Sequence, residues 1–265
     1  MNQSVDSIWG IHAVREAIES RKRPIEHVHF QEGLRNSRLM ELIRECRSRS
    51  IPLRFDPVRA LDRMAQGGRH QGVVAVAGAY SYASLESLLE PEPADALLLL
   101  LDGVEDTHNL GALIRTACVA GADAVVLPER RSAGLTPAVA QAASGAAEHV
   151  PVARVSNMAR TVETLKKHSF WIFGLDERGD RSYDQVDYRG NCALLVGSEG
   201  KGLHQLLRKQ CDFLVRIPAE GKISTLNVSV AAGIVLFEAV RQRREPLRSG
   251  KQAQHPTSAA SKSST

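Results

Sequence analysis

The chain has 265 residues, enough for one large domain or two modest ones. Lys and Arg number 34 against 30 Asp and Glu, with 43% apolar and 24% charged residues, so there is material for a core and disorder is excluded as the dominant state. The longest aliphatic run, Ala96 to Leu101, falls far short of the roughly 20 residues that cross a bilayer, and Met1 to Trp9 has neither the basic start nor the apolar stretch of a secretory signal. Cys46, Cys118, Cys192 and Cys211 are widely spaced and form no CxxC pair. That spacing argues against a disulfide framework or a structural zinc site and for reduced thiols, and the expectation is a cytoplasmic protein with no membrane partner and no metal.

Residues 1–79 alternate helix and strand signals. Ile11, Val14, Ala17 and Ile18 recur at helical spacing, and His27 to Phe30 reads as a strand. A second helix carries Leu39, Leu42 and Ile43 and ends near Ser48; a strand over Ile51 to Phe55, a short helix over Pro57 to Met64 and a strand over Val73 to Ala77 follow. This segment holds 13 Lys/Arg against 9 Asp/Glu, whereas residues 80–245 hold 18 against 21. A basic front on a slightly acidic body points to a polyanion such as nucleic acid, although an ordinary solvated surface fits the same count. Aromatics are only 5%, so an RNA partner would be held through phosphates and shape rather than on stacking platforms.

Residues 80–94, with Ser81, Ser84, Ser87, Pro91 and Pro93, read as a connector with a short helix over Leu85 to Leu89. From residue 95 the alternation is strict. The apolar run Leu97 to Leu101 predicts a parallel strand buried on both faces. Helices are predicted over Leu110–Ala120, Thr136–Ala147, Met158–His168, Leu203–Lys209 and Leu226–Arg243. Strands are predicted over Ala124–Leu127, Val152–Val155, Phe170–Gly174, Ala193–Val196 and Phe213–Ile217. The class is α/β, a parallel sheet covered on both sides. Pro246 to Thr265 has no periodicity and reads as a disordered tail.

Three loops carry chemistry. The first, Asp102 to Arg115, leaves the carboxyl end of a buried strand, where open α/β sheets place ligands. Asn109 can cap the helix, Gly111 permits close approach of another backbone, and Arg115 lies inside the helix; read alone, these are equally turn, cap and ion-pair residues. The second, Gly197-Ser-Glu-Gly-Lys-Gly202, brings backbone close to a flat or anionic ligand and contains the lone acid Glu199. It is no Walker A loop, since Gly202 follows Lys201 where Ser or Thr would bind magnesium, and it fits neither GxSxG nor GxGxxG. In the third, Ile217 to Ala231, Ser224, Thr225, Asn227 and Ser229 cluster before an apolar helix. One helix cap, Ser224 or Thr225, would explain only one of these polar residues, and Asn227 looks buried.

Taken together, the Asn-x-Gly…Arg segment, the Gly-Ser-Glu-Gly-x-Gly loop and Leu-Asn-Val-Ser-Val-Ala resemble the three motifs of the SpoU ribose 2′-O-methyltransferases of the SPOUT superfamily. Ile8 to Val14, His70-Gln-Gly72 and Leu236 to Arg243 are similar to the branch that methylates a guanosine of bacterial large-subunit rRNA. The resemblance spans about residues 7–244. It implies an L30e-like α/β RNA-binding domain over 1–79, a linker over 80–94 and a trefoil-knotted SPOUT methyltransferase domain over 95–245. It further implies S-adenosyl-L-methionine as methyl donor, rRNA as partner and a homodimer with the active site at the subunit interface. Arg115, Asn109, Glu199 and Asn227 match the catalytic positions, and Thr225 with Arg115 those near RNA. Gly197, Ile217 and Leu226, with Val196 and Ser229, match positions around the donor. Thr107 stands where many relatives have proline, and Thr225 where serine is usual.

Arginine is a poor base, with a pKa above about 12, so Arg115 suits an electrostatic role and Glu199 either accepts the proton or holds the arginine. A tRNA-directed enzyme of the same family and a non-catalytic RNA-binding assembly protein are the competing readings.

Overall fold

The computed structural model describes residues 5–34, 36–222 and 225–245. The tail from 246 and Ser224 therefore lie outside the described residues. The first part is built from β1 (Val5–Trp9), α1 (Ile11–Ser20), β2 (Ile25–Gln31), α2 (Ser37–Ser48), β3 (Leu53–Asp56), α3 (Val58–Met64) and β4 (Val73–Gly78). Its four strands lie in the order β1-β4-β2-β3, with β4 antiparallel to both neighbours and β2 parallel to β3. Val14, Ala17, Phe30 and Leu42 bury one face of this sheet, while Trp9, Leu61 and Val74 cluster on the other. The edge strand β1 has no counterpart in the sequence expectations. Asp6 and Ser7 break its alternation, and pairing along all of β4 is what extends it.

After α4 (Leu85–Leu89) come β5 (Leu97–Asp102), α5 (Thr107–Ala120), β6 (Ala124–Pro128), α6 (Pro137–Ala142), β7 (Val152–Val155), α7 (Met158–Lys167), β8 (Trp171–Leu175), β9 (Arg181–Ser182), β10 (Cys192–Gly197), α8 (Gln205–Gln210), β11 (Phe213–Arg216) and α9 (Val228–Arg244). The strands form one sheet, β7-β6-β5-β10-β8-β11-β9, and every pairing is parallel. Leu99, Leu101, Val125 and Leu194 face α5, α6 and α9; Leu98, Leu100, Val126 and Leu195 face α7 and α8. The sheet is thus covered on both sides, as the unbroken apolar run of β5 requires. Asp102 is the register partner of Gly197, and Val196 that of Leu175. The chain therefore leaves β5, β8 and β10 at one level of one sheet edge.

Two local departures matter for the site. The helix expected over Thr136–Ala147 ends at Ala142, because Ser144 (φ 52°) and Gly145 (φ 88°) turn left-handed before a single 3-10 turn at Ala146–Glu148. The bend is pressed against α1: a Cβ on Gly145 would lie 2.5 Å from that of Glu16. Helix α5 begins at Thr107 rather than Leu110, and Asp106, not Asn109, caps it by accepting from the Asn109 backbone N–H. Thr107 occupies the first helical position, where a proline is also at home. The gap at Gly111 lets α6 in, since a Cβ there would lie 2.3 Å from that of Ala142.

The two sheets meet through a buried ion pair. Arg23 reaches Glu148 Oε1 at 2.5 Å and Asp6 Oδ2 at 3.1 Å, and lies over the Tyr80 ring. All four cysteines are free. Burial pushes the Cys46 and Cys192 thiols up to about 11 and that of Cys211 to about 12, so none of these three is a thiolate near neutral pH.

Candidate active site

Three loop segments converge at the carboxyl edge of the sheet. Asn109, released from capping, points its side chain outward from the first turn of α5 and donates through Nδ2 to Glu199 Oε1 at 2.7 Å. Asn227 donates through Nδ2 to the same oxygen at 3.1 Å and to Asn109 Oδ1 at 2.9 Å. One carboxylate oxygen is thus held by two amide donors from elements 118 positions apart in sequence. The other oxygen, Oε2, makes no bond among the described residues. Glu199 is exposed, and so is Asn227, contrary to the buried position expected from sequence. Asn227 is also the true cap of α9: its Oδ1 accepts from the Ser229 backbone N–H at 2.9 Å and hydroxyl at 2.6 Å. This leaves the exposed Thr225 free of capping duty. The Ser229 hydroxyl is taken up by its bond to Asn227 Oδ1, and Ser229, expected at the donor, is not among the residues that line the neighbouring cavity.

Beside this cluster lies a cavity of about 530 Å³. Val196, Gly197, Ile217 and Leu226, four of the residues expected around the donor, line it with Thr225, expected near RNA, and with Leu175, Asp176 and Arg178 from the loop after β8. The β8 loop escaped the sequence analysis although it follows a buried strand at the edge where such sheets bind ligands. Gly197 has a more specific role than closeness to a ligand. A Cβ on it would lie 2.2–2.4 Å from the backbone of Gly202 and Leu203, so the loop folds back onto its own first residue. Gly200 (φ 76°) and Gly202 (φ 65°) make that reversal. A second, smaller cavity of about 480 Å³ shares Ser198, Glu199 and Lys201 with the first.

Arg115 stands apart from the cluster. Six residues after Asn109 on one helix, it lies about 9 Å further along the axis and about two-thirds of a turn round. Its Nη1 donates instead to Ser144 Oγ at 3.3 Å. Ser144 is a further residue that sequence gave no reason to single out, since its left-handed bend was expected to be helix. Arg115 shares its face of α5 with Val119, one turn on and 68% exposed; on α9, which packs against α5, Val230 and Phe237 are 50% and 46% exposed.

A parallel α/β sheet whose carboxyl edge gathers three loops around a cavity defines the class: an enzyme-like domain that takes its ligand at the strand ends, with a second α/β unit in front. The chain belongs to the SpoU rRNA methylase family, whose model matches residues 96–237. Residues 7–83 match the model described as RNA 2′-O ribose methyltransferase substrate binding. The 23S rRNA (guanosine-2′-O-)-methyltransferase RlmB of Xylella fastidiosa is 43% identical over 92% of this chain and 99% of its own. The Pseudomonas putida enzyme of that name is 41% identical over 91% and 98%. Among solved structures, the SpoU methyltransferase AviRb from Streptomyces viridochromogenes, in complex with the cofactor AdoMet, is 26% identical with a TM-score of 0.75, covering 90% of each chain.

Among the described residues no group of three or more His, Cys, Asp and Glu is arranged to hold a metal, and no helix is long and apolar enough to cross a membrane.

Proposed function

We propose that this protein transfers a methyl group from S-adenosyl-L-methionine to the ribose 2′-hydroxyl of a guanosine in large-subunit rRNA. The observation that carries this is the Asn109–Glu199–Asn227 cluster at the rim of a cavity of the right size, in a chain 43% identical to an enzyme named for that reaction. The cavity suits the donor: Leu175, Val196, Ile217 and Leu226 offer apolar walls for an adenine, while Asp176 and Thr225 offer polar groups for its sugar and amino-acid ends. The donor supplies a methyl group on a sulfonium, so the protein has to align the acceptor oxygen and remove one proton. Glu199 is the proton acceptor in this scheme. Asn109 and Asn227 fix its Oε1 by donating to it, and Oε2 is left to take the proton from the 2′-hydroxyl.

Arg115 stabilises the developing alkoxide or anchors the adjacent phosphate, and its distance from Glu199 within one chain is met by a homodimer in which each subunit lends Arg115 to its partner's site. The exposed Val119, Val230 and Phe237 beside it support that interface. The front unit, residues 1–79, is read as the L30e-like RNA-holding domain, with a groove lined by His12, Asn36, Arg38 and Arg69. Residues 80–94 serve as linker and 95–245 as the methyltransferase domain, whose self-contacting Gly197–Leu203 loop is where we place the trefoil knot. The reaction belongs in the cytoplasm, where rRNA is made.

Incubation with tritiated S-adenosylmethionine and unmodified large-subunit rRNA or tRNA tests this. Label is expected in rRNA as 2′-O-methylguanosine; label only in tRNA overturns the substrate, and label in neither overturns the activity. Arg115→Ala and Glu199→Gln should each be inactive alone, and their mixture should recover about a quarter of wild-type activity, because half the dimers regain one intact site. No recovery in mixtures shown to exchange subunits overturns the shared site.

A further inference from the structure

We propose that the 480 Å³ cavity receives the guanine base of the target nucleotide, with Arg131 and Glu105 reading its two polar edges. This deepens the proposed function and rests on it. The cavity begins where the acceptor hydroxyl must lie: Asn109 and Glu199 form part of its wall, and Glu199 is shared with the larger cavity. A nucleotide that presents its ribose to Glu199 with a donor on one side has this space on the other for its base.

Arg131 is built into that wall. Asp102, 8% exposed at the end of β5, accepts through Oδ2 from His204 Nδ1 at 2.6 Å and from the His204 backbone N–H at 3.3 Å. His204 Nε2 in turn faces Arg131 Nη1 at 3.4 Å. An arginine only donates, so Nε2 accepts and the ring proton sits on Nδ1, toward Asp102. A buried carboxylate thus steadies the guanidinium through an imidazole. Arg131 itself has φ 61°, a left-handed conformation of the kind that gathers at ligand clamps. Its remaining N–H groups, and the exposed carboxylate of Glu105, make no bonds among the described residues.

The charges select the occupant. Lys201 and Arg131 are opposed by Glu105, Asp106 and Glu199, a wall with more negative than positive groups, which disfavours a phosphate. Guanine has both an acceptor edge, O6 and N7, suited to an arginine fork, and a donor edge, N1–H and N2–H₂, suited to a carboxylate. Adenine lacks that donor pair.

The test uses full-length protein and rRNA in which the mapped target nucleotide is guanosine, inosine or adenosine. Wild type should prefer guanosine over inosine, which lacks the 2-amino group, by at least about 10-fold in kcat/KM, the scale of one bidentate base contact. Glu105→Ala should bring that ratio close to one. Arg131→Ala should lower kcat/KM on guanosine at unchanged donor affinity, and His204→Ala should add nothing to it. An undiminished preference in Glu105→Ala, or a uniform loss on all three RNAs in Arg131→Ala, overturns the base pocket and makes Arg131 a phosphate contact. Failure of wild type to methylate any RNA overturns the functional reading beneath it. Thermal unfolding of each variant separates these losses from misfolding.

Discussion

Two glutamates in this molecule are bonded in the same way but stand in opposite surroundings. Glu148, at the seam between the sheets, and Glu199, at the strand ends, each accept through Oε1 from nitrogen donors and leave Oε2 without a partner. The side chains of Glu148 and its partner Arg23 are only 4% and 7% exposed, so the unbonded oxygen there is shut away from water and costs stability. Glu199 is exposed at a cavity, where an unbonded oxygen is open to a substrate proton. Burial, more than bonding pattern, separates the carboxylate that holds the seam from the one we propose as proton acceptor.

Removing one partner of the buried pair is the harshest way to probe that contrast. Arg23→Ala or Glu148→Ala should lower unfolding stability by about 3–5 kcal/mol in urea titrations, because a charge is left buried and unpaired. The double variant Arg23→Met, Glu148→Leu should recover much of that loss. Glu199→Gln should be the mirror image: stability unchanged within about 0.5 kcal/mol, and methyl transfer reduced about 100-fold or more with donor affinity retained. A destabilised Glu199→Gln, or an active one, would break the distinction. The smallest effect is expected at Ser144, the partner of Arg115. Ser144→Ala should lower kcat several-fold, and Ser144→Asn should restore it, since asparagine tolerates the left-handed backbone and still offers an acceptor.

The parallel sheet was legible in the sequence because β5 and β10 are unbroken apolar runs separated by helical spacing. The site was legible as three loops because glycine and asparagine stand out from an aliphatic background. What escaped depends on contacts remote in sequence. Strand β1 exists through β4, and the two-residue β9 through β11. The break at Ser144–Gly145 is set against α1 of the other unit. The choice of Asp106 over Asn109, and of Asn227 over Thr225, as helix caps is a competition among adjacent residues that can all cap; its outcome decided which side chains were left for the cavity. Arg115 was grouped with the cluster by motif, whereas helix geometry sends it to another face. Arg131 follows β6 and His204 follows β10, and the two meet only because the sheet brings both strands to either side of β5.

The position of β10 carries a consequence for how the protein comes off the ribosome. It lies between β5 and β8, yet is made after both. Until residue 197 has emerged, the nascent chain holds two strand edges flanking an empty slot, one of them the wholly buried Leu97–Leu101 stretch. Such edges invite mispairing. The half-made sheet is therefore the species in greatest need of protection, and it closes only when β10 enters between β5 and β8.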